Sequence, residues 1–244
     1  MTQRDDLYAA PVDRVPDFSF DEAVARVFPD MIRRSVPGYT TIIPMIELIT
    51  GQYARPGSNT YDLGCSLGAS TLAMRHGLKS VYNTRVIAVD NSAAMIERCG
   101  HYIELDNCPV PVELIEQDIR HTRIINASVI TLNFTLQFVP PEDRVALLET
   151  IYRGMNPGGC LIISEKIHSE NRMEQEVNTS LHTAFKKANG YSDMEVSQKR
   201  AAIEKVLITE SRQQHLERLR QVGFAHAQVW YQCFCFTSMI ALKP

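Results

Sequence analysis

The chain has 244 residues, 45% of them hydrophobic, enough for one α/β domain with an elaboration and a sizeable core. Its 25 Lys and Arg stand against 28 Asp and Glu, a net charge of -3 that speaks against a broad nucleic-acid footprint. The six cysteines, at 65, 99, 108, 160, 233 and 235, form no pair of CxxC units for zinc, and no apolar stretch is long enough to span a membrane. Four of those cysteines lie in core-like surroundings, and Cys233 and Cys235 alternate as if on one strand face. Reduced, buried thiols and an N-terminus without a signal-type apolar run predict a cytoplasmic protein.

In chain order, residues 1–20 read as a polar arm. Ser19 to Glu22 has capping-box form and opens a helix with Val24, Val27, Phe28 and Met31 on one side, divided at Pro29. A turn through Pro37 and Gly38 leads to a second helix carrying Ile42, Met45, Ile46 and Ile49. Residues 1–55 thus form an arm and helical cap, and residues 56–244 an α/β domain. Its strands are expected at 59–63, 85–90, 112–116, 127–133 and 160–164, the third at an edge. Helices fill the gaps, among them one capped by Ser92 and one begun at Pro141. Residues 168–206 break the rhythm as a polar helical insertion. A helix over 211–222, stopped by Gly223, and two strands near 226–233 and 235–242 close the chain, one of them antiparallel. The fold class is α/β: a doubly wound, seven-stranded, mostly parallel sheet.

Ligands of such sheets sit at the carboxyl ends of the strands. Gly64, Cys65 and Ser66 follow the first strand in a loop closed by Gly68, with serine where a dinucleotide fingerprint has its middle glycine. Asp90 and Asn91 follow the second strand; Asp90 could accept from a ribose diol, or merely cap the next helix. Asp118 and Ile119 follow the third; Asp118 could accept from an exocyclic amine, with Ile119 against the ring, or be a surface carboxylate. Asn133 follows the fourth strand and Ser164, Glu165 and Lys166 the fifth. His121 is the one histidine beside these motifs, and nothing marks it as catalytic.

Asp62 to Gly68, Asp90-Asn91, Asp118-Ile119 and Asn156-Pro-Gly-Gly159 together resemble the motif series of class I S-adenosylmethionine-dependent methyltransferases, with Ser66 the departure. A narrower resemblance covers nearly the whole chain. Val27-Phe-Pro-Asp-Met31, Arg34-Ser-Val-Pro-Gly-Tyr39, Leu132-Asn-Phe-Thr-Leu-Gln-Phe138, Lys187-Ala-Asn-Gly-Tyr-Ser192, Ser197-Gln-Lys-Arg200 and Trp230-Tyr-Gln-Cys-Phe234 are similar to segments of the carboxy-S-adenosylmethionine synthase family.

That resemblance implies S-adenosyl-L-methionine as ligand, or carboxy-S-adenosyl-L-methionine as bound product, and no metal. It implies prephenate as carboxyl donor and phenylpyruvate as by-product. The S-methyl group, acidified by the adjacent sulfonium, captures the CO2 that prephenate loses, and prephenate itself supplies the base. It implies a homodimer in which Arg200 grips the new carboxylate across the interface, a charge-assisted bond of about 1.5–3 kcal/mol. It places Tyr39 over the ligand and Asn133 near the sulfonium or amino-acid part. It implies a product handed to a separate enzyme that carboxymethylates a wobble uridine in transfer RNA, with no direct nucleic-acid or membrane contact. Arg33 and Arg34 offer themselves to prephenate's carboxylates by spacing alone; a cationic helix end complementing the dipole is the stronger reading. An ordinary methyltransferase acting on RNA or a small molecule, and a non-catalytic S-adenosylmethionine-binding protein, are the competing readings.

Overall fold

The computed structural model describes residues 3–11 and 17–244, so the expected arm over 1–20 lies partly outside the described residues. Two helices come first, α1 (Glu22–Ser35) and α2 (Tyr39–Tyr53). The N-cap of α1 is Asp21, whose carboxylate accepts from Val24 N–H at 3.0 Å, and not Ser19, which bonds Asp21 instead. A carboxylate outcompetes a hydroxyl for the free N–H groups of a first turn. Pro29 does not divide α1. The missing hydrogen bond is tolerated because Val24, Val27 and Met31 are locked against Leu67 and Met95 on both sides of it.

Then strands and helices alternate: β1 (Asn59–Leu63), α3 (Ala69–Gly77), β2 (Arg85–Asp90), α4 (Ala93–Leu105), β3 (Val112–Glu116) and β4 (Ala127–Asn133). They are followed by α5 (Arg144–Gly154), preceded by a 3-10 turn at Pro141, and β5 (Met155–His168). β5 begins earlier than expected because Asn156-Pro-Gly-Gly159 is a bulge within it: the partners step from Ala127↔Met155 to Val129↔Cys160. The insertion is two helices, α6 (Arg172–Ala188) and α7 (Asp193–Ile203), broken at Gly190. A two-residue strand β6 (Glu210–Ser211), α8 (Arg212–Val222), β7 (His226–Cys233) and β8 (Phe236–Leu242) complete the chain.

The strand path is β3-β2-β1-β4-β5-β8-β7, with β3 at the edge and β6 added beside β5. β8 runs antiparallel to β5 and to β7. Alternation along the strands feeds two cores. Tyr61, Leu63, Ile130, Leu132, Leu161 and Ile163 face α5 and α8, while Val129, Cys160 and Ile162 face α2 and α3. Cys233 and Cys235 do not share a strand face: Phe234-Cys235 is a two-residue hairpin turn, Phe234 at φ 52, leaving Cys233 partly exposed and Cys235 buried. All six cysteines are free. Among the described residues, no helix is long and apolar enough to cross a membrane.

Candidate active site

The reversal of strand order between β1 and β4 opens a crevice at the carboxyl ends of the strands. α1, α2, α6 and α7 contribute its far wall, enclosing a cavity of ≈ 300 Å³. Tyr39, Gly64, Cys65, Ser66, Asp90, Asn91, Asp118, Ile119 and Asn133 all line it. Arg200 does not: it is exposed on α7, while its neighbour Lys199 faces the cavity.

One end is acidic. Asp62, at the end of β1, is fully buried; Thr71 Oγ1 donates to its Oδ2 at 2.6 Å and its Oδ1 has no partner. Burial pushes its pKa up to about 7. Gly64 then turns at φ 83, where an added Cβ would lie 2.3 Å from the Thr135 side chain, so only glycine passes between β1 and the β4 loop. Ser66 takes a left-handed φ of 50, a conformation held by its N–H donating to Asp90 Oδ2 at 2.8 Å. Asp90 Oδ1 accepts from Ser92 N–H at 2.9 Å. Asp90 therefore fixes the loop and the start of α4, yet each oxygen retains a lone pair for a ligand hydroxyl. Its burial raises its pKa.

Asp118 lies at the cavity but is already engaged. Arg120 Nη2 donates to Oδ2 at 2.6 Å and the Arg120 backbone N–H to Oδ1 at 2.9 Å. This guanidinium holds the carboxyl below its usual pKa and continues to Asp143. Asn133 Nδ2 donates to Ser70 Oγ at 3.0 Å, and its Oδ1 is buried without a partner. Asn133 Oδ1, orphaned and in the cavity lining, thus marks that part of the rim as fit for a cationic or N–H-rich ligand group, while the orphaned Asp62 Oδ1 lies buried behind the lining.

The other end is basic. Lys166 from β5, Lys186 from α6 and Lys199 from α7 line it, with His182 between them. Lys199 pairs with Asp5 and lies 2.8 Å from Tyr191 Oη. His182 Nε2 lies 2.8 Å from the Ser35 carbonyl, so Nε2 carries the hydrogen and Nδ1 is bare. Burial and neighbouring cations pull its pKa down to about 3, which makes it a neutral structural tie and a poor base. His121, the histidine legible beside the motifs, is exposed and outside the cavity lining. Tyr39 is set over the centre by Gly38, whose turn at φ 84 leaves no room for a Cβ beside Tyr231. Its ring centroid is 6.3 Å from that of Phe134.

Arg33 and Arg34 are used elsewhere. Arg33 is exposed and bonds Asp30 at 3.2 Å. Arg34 is buried under Tyr191, 3.8 Å from the ring centre, and donates to Asp30 Oδ2, the Asp5 carbonyl and the Asn189 carbonyl. It ties α1 to the arm and to the insertion. Among the described residues, the one group of three potential metal ligands, His76, Asp106 and Cys108, lies away from the cavity, with Asp106 ion-paired to Arg75 at 3.0 Å.

Residues 61–159 match the family described as "Methyltransferase domain". The fold is similar to human N-acetylserotonin methyltransferase (TM-score 0.61, 13% identity, 91% of this chain and 55% of that one). It is also similar to a putative O-methyltransferase from Nostoc punctiforme (TM-score 0.63, 13% identity, 91% and 59%). Sheet order, glycine loop and rim acids therefore define a class I S-adenosylmethionine-dependent methyltransferase fold. The chain is 64% identical over 227 residues to the carboxy-S-adenosyl-L-methionine synthase of Marinobacter nauticus, covering 93% of this chain and 90% of that protein. It is 52% identical over 243 residues to the Escherichia coli O7:K1 protein of the same name, covering 100% and 98%. It belongs to the carboxy-S-adenosyl-L-methionine synthase family.

Proposed function

We propose that the protein converts S-adenosyl-L-methionine and prephenate to carboxy-S-adenosyl-L-methionine and phenylpyruvate. The observation that carries this reading, beyond family membership, is that one cavity joins an acceptor-rich rim to a cationic end. Asp90 accepts from the ribose diol, Ile119 packs on the adenine, and Asp118 accepts from its amine once Arg120 gives up part of its grip. Asn133 Oδ1 takes an N–H group of the methionine ammonium. Tyr39 and Phe134 offer ring faces near the sulfonium.

S-adenosylmethionine is consumed, so it is a substrate. Prephenate loses its ring carboxylate as CO2 and its ring hydroxyl as hydroxide while the ring becomes aromatic. The hydroxide takes a proton from the S-methyl group and leaves as water; the carbanion, stabilised by the adjacent sulfonium, bonds to the CO2. No side-chain base is needed, consistent with a cavity histidine whose basicity is suppressed. Arg200 holds the new carboxylate in the cavity of a partner copy, the role its exposed position in its own chain leaves open to it. The product serves a cytoplasmic enzyme that carboxymethylates a wobble uridine of transfer RNA. The test is one incubation of protein, S-adenosylmethionine and prephenate read by mass spectrometry. A nucleoside heavier by the mass of CO2 is expected; S-adenosylmethionine surviving unchanged would overturn the reading.

A further inference from the structure

Lys166 and Lys186 line the basic end of the cavity from different elements, β5 and α6. Neither has an ion pair or a side-chain hydrogen bond from its ammonium group among the described residues. The third lysine there, Lys199, is spoken for by Asp5 and Tyr191. The groups bearing on Lys186 are the cations Lys166, Lys199 and Arg200, opposed by the Cys235 thiol. Arg200 also bears on Lys166. The wall beside the lysines is apolar and aromatic, with Tyr39, Phe134 and Phe236. Burial and like-charge repulsion pull the pKa of Lys186 down to about 8. Two unpaired ammonium groups held together beside aromatic rings cost stability unless something anionic joins them.

We propose that Lys166 and Lys186 form the site for a dicarboxylate co-substrate, one lysine to each carboxylate, with the carbon ring between them against Tyr39, Phe134 and Phe236. This rests on the reading above that the reaction consumes a second, doubly anionic substrate. The acidic rim holds the nucleoside cation and the lysine pair holds the dianion. The two substrates therefore meet with opposite charges facing along one cavity. The pair also discriminates against the by-product, which leaves with one carboxylate and loses one of the two contacts.

The test is calorimetric titration of the full chain, saturated with S-adenosylhomocysteine, using prephenate and then phenylpyruvate. Wild type is expected to bind prephenate about tenfold or more tightly than phenylpyruvate, the worth of one charge-assisted contact. Lys166→Met and Lys186→Met should each lose about tenfold or more in prephenate affinity and keep S-adenosylhomocysteine affinity within about twofold. Neither variant should melt below wild type without ligand, since each relieves a buried repulsion. Lys186→Arg should retain most of the prephenate affinity. Equal losses for both ligands would overturn the proposal by assigning the lysines to the methionine carboxylate. Unchanged prephenate affinity in both Met variants would overturn it while leaving turnover of prephenate by wild type, and so the substrate reading, intact. Lysine-dependent binding of another dicarboxylate by a wild type that ignores prephenate would support the lysine site and sink the substrate reading.

Discussion

The two ends of the cavity are built in opposite ways. At the acidic end every carboxylate belongs to the sheet rim and most of its bonding is to backbone or near neighbours: Asp90 to Ser66 and Ser92, Asp118 to Arg120, Asp62 to Thr71. At the basic end the side chains come from β5 and from two inserted helices. These helices are pinned from a distance: Lys199 to Asp5 across 194 positions, Arg34 to Asn189 across 155. The first end is a pre-organised mould, its loop and carboxylates already bonded before any ligand arrives, with Asp62 Oδ1 and Asn133 Oδ1 left without partners. The second leaves two cations uncompensated. A mould of the first kind serves any nucleoside ligand of this fold; the unbalanced end gives the pocket its own chemistry.

The largest effect is expected at the acidic end. Asp90→Ala removes the proposed ribose acceptor and releases Ser66 from its left-handed turn, so S-adenosylmethionine affinity should fall by about 100-fold or more. Unchanged affinity would remove Asp90 from the site. Next is Arg200→Ala, expected to weaken carboxy-S-adenosylmethionine about tenfold more than S-adenosylmethionine. Equal losses would argue against its carboxylate role. At the basic end, Lys186 is charged below and neutral above its pKa of about 8. The value of kcat/KM for prephenate should therefore drop as pH rises through about 8, while kcat, reporting the complex, stays flatter because the bound dianion holds the proton. Lys166 on β5, Lys199 and Arg200 on α7, His182 on its own helix and Cys235 in the hairpin face it, and Lys186→Arg should abolish the fall.

Smaller effects are expected at Asp62 and Arg120. The folded-state pKa of Asp62, about 7, lies above the ordinary carboxylate value, so its stabilising contribution is present below that ordinary value and lost as pH rises through 7. Asp62→Asn should then raise the melting temperature of ligand-free protein at pH 8 by roughly 2–4 °C, the equivalent of about 1 kcal/mol in a chain of this size, and by little at pH 4. Arg120→Ala should change S-adenosylmethionine affinity least, a rise of about threefold or less as Asp118 is freed, because the exposed pair is worth little.

The acidic end was legible because its parts are local in sequence. Strand alternation fixes where β1, β2, β3 and β4 stop, and the residues just past those stops, Gly64 to Ser66, Asp90, Asp118 and Asn133, converge by topology alone. What escaped there was Arg120, two positions from Asp118, since spacing does not tell an open carboxylate from a clamped one. The basic end was hidden because tertiary packing alone brings Lys186, His182 and Lys199, from two helices inserted late in the chain, to β5. Arg34 reads correctly as a cation in the last turn of its helix, but its partners Asp5 and Asn189 were out of reach because they are remote in the chain. Pro29 and Ser19 show local rules yielding to packing and to a stronger neighbouring cap.

If S-adenosylmethionine and prephenate meet in this one cavity, as proposed, the carboxyl passes between them without mixing with dissolved bicarbonate. Prephenate carrying carbon-13 in its ring carboxylate, turned over with S-adenosylmethionine in excess unlabelled bicarbonate, tests it most directly. Carboxy-S-adenosylmethionine with the label undiluted is expected; product diluted toward the bicarbonate pool, or no product, would rule out a direct transfer within the cavity.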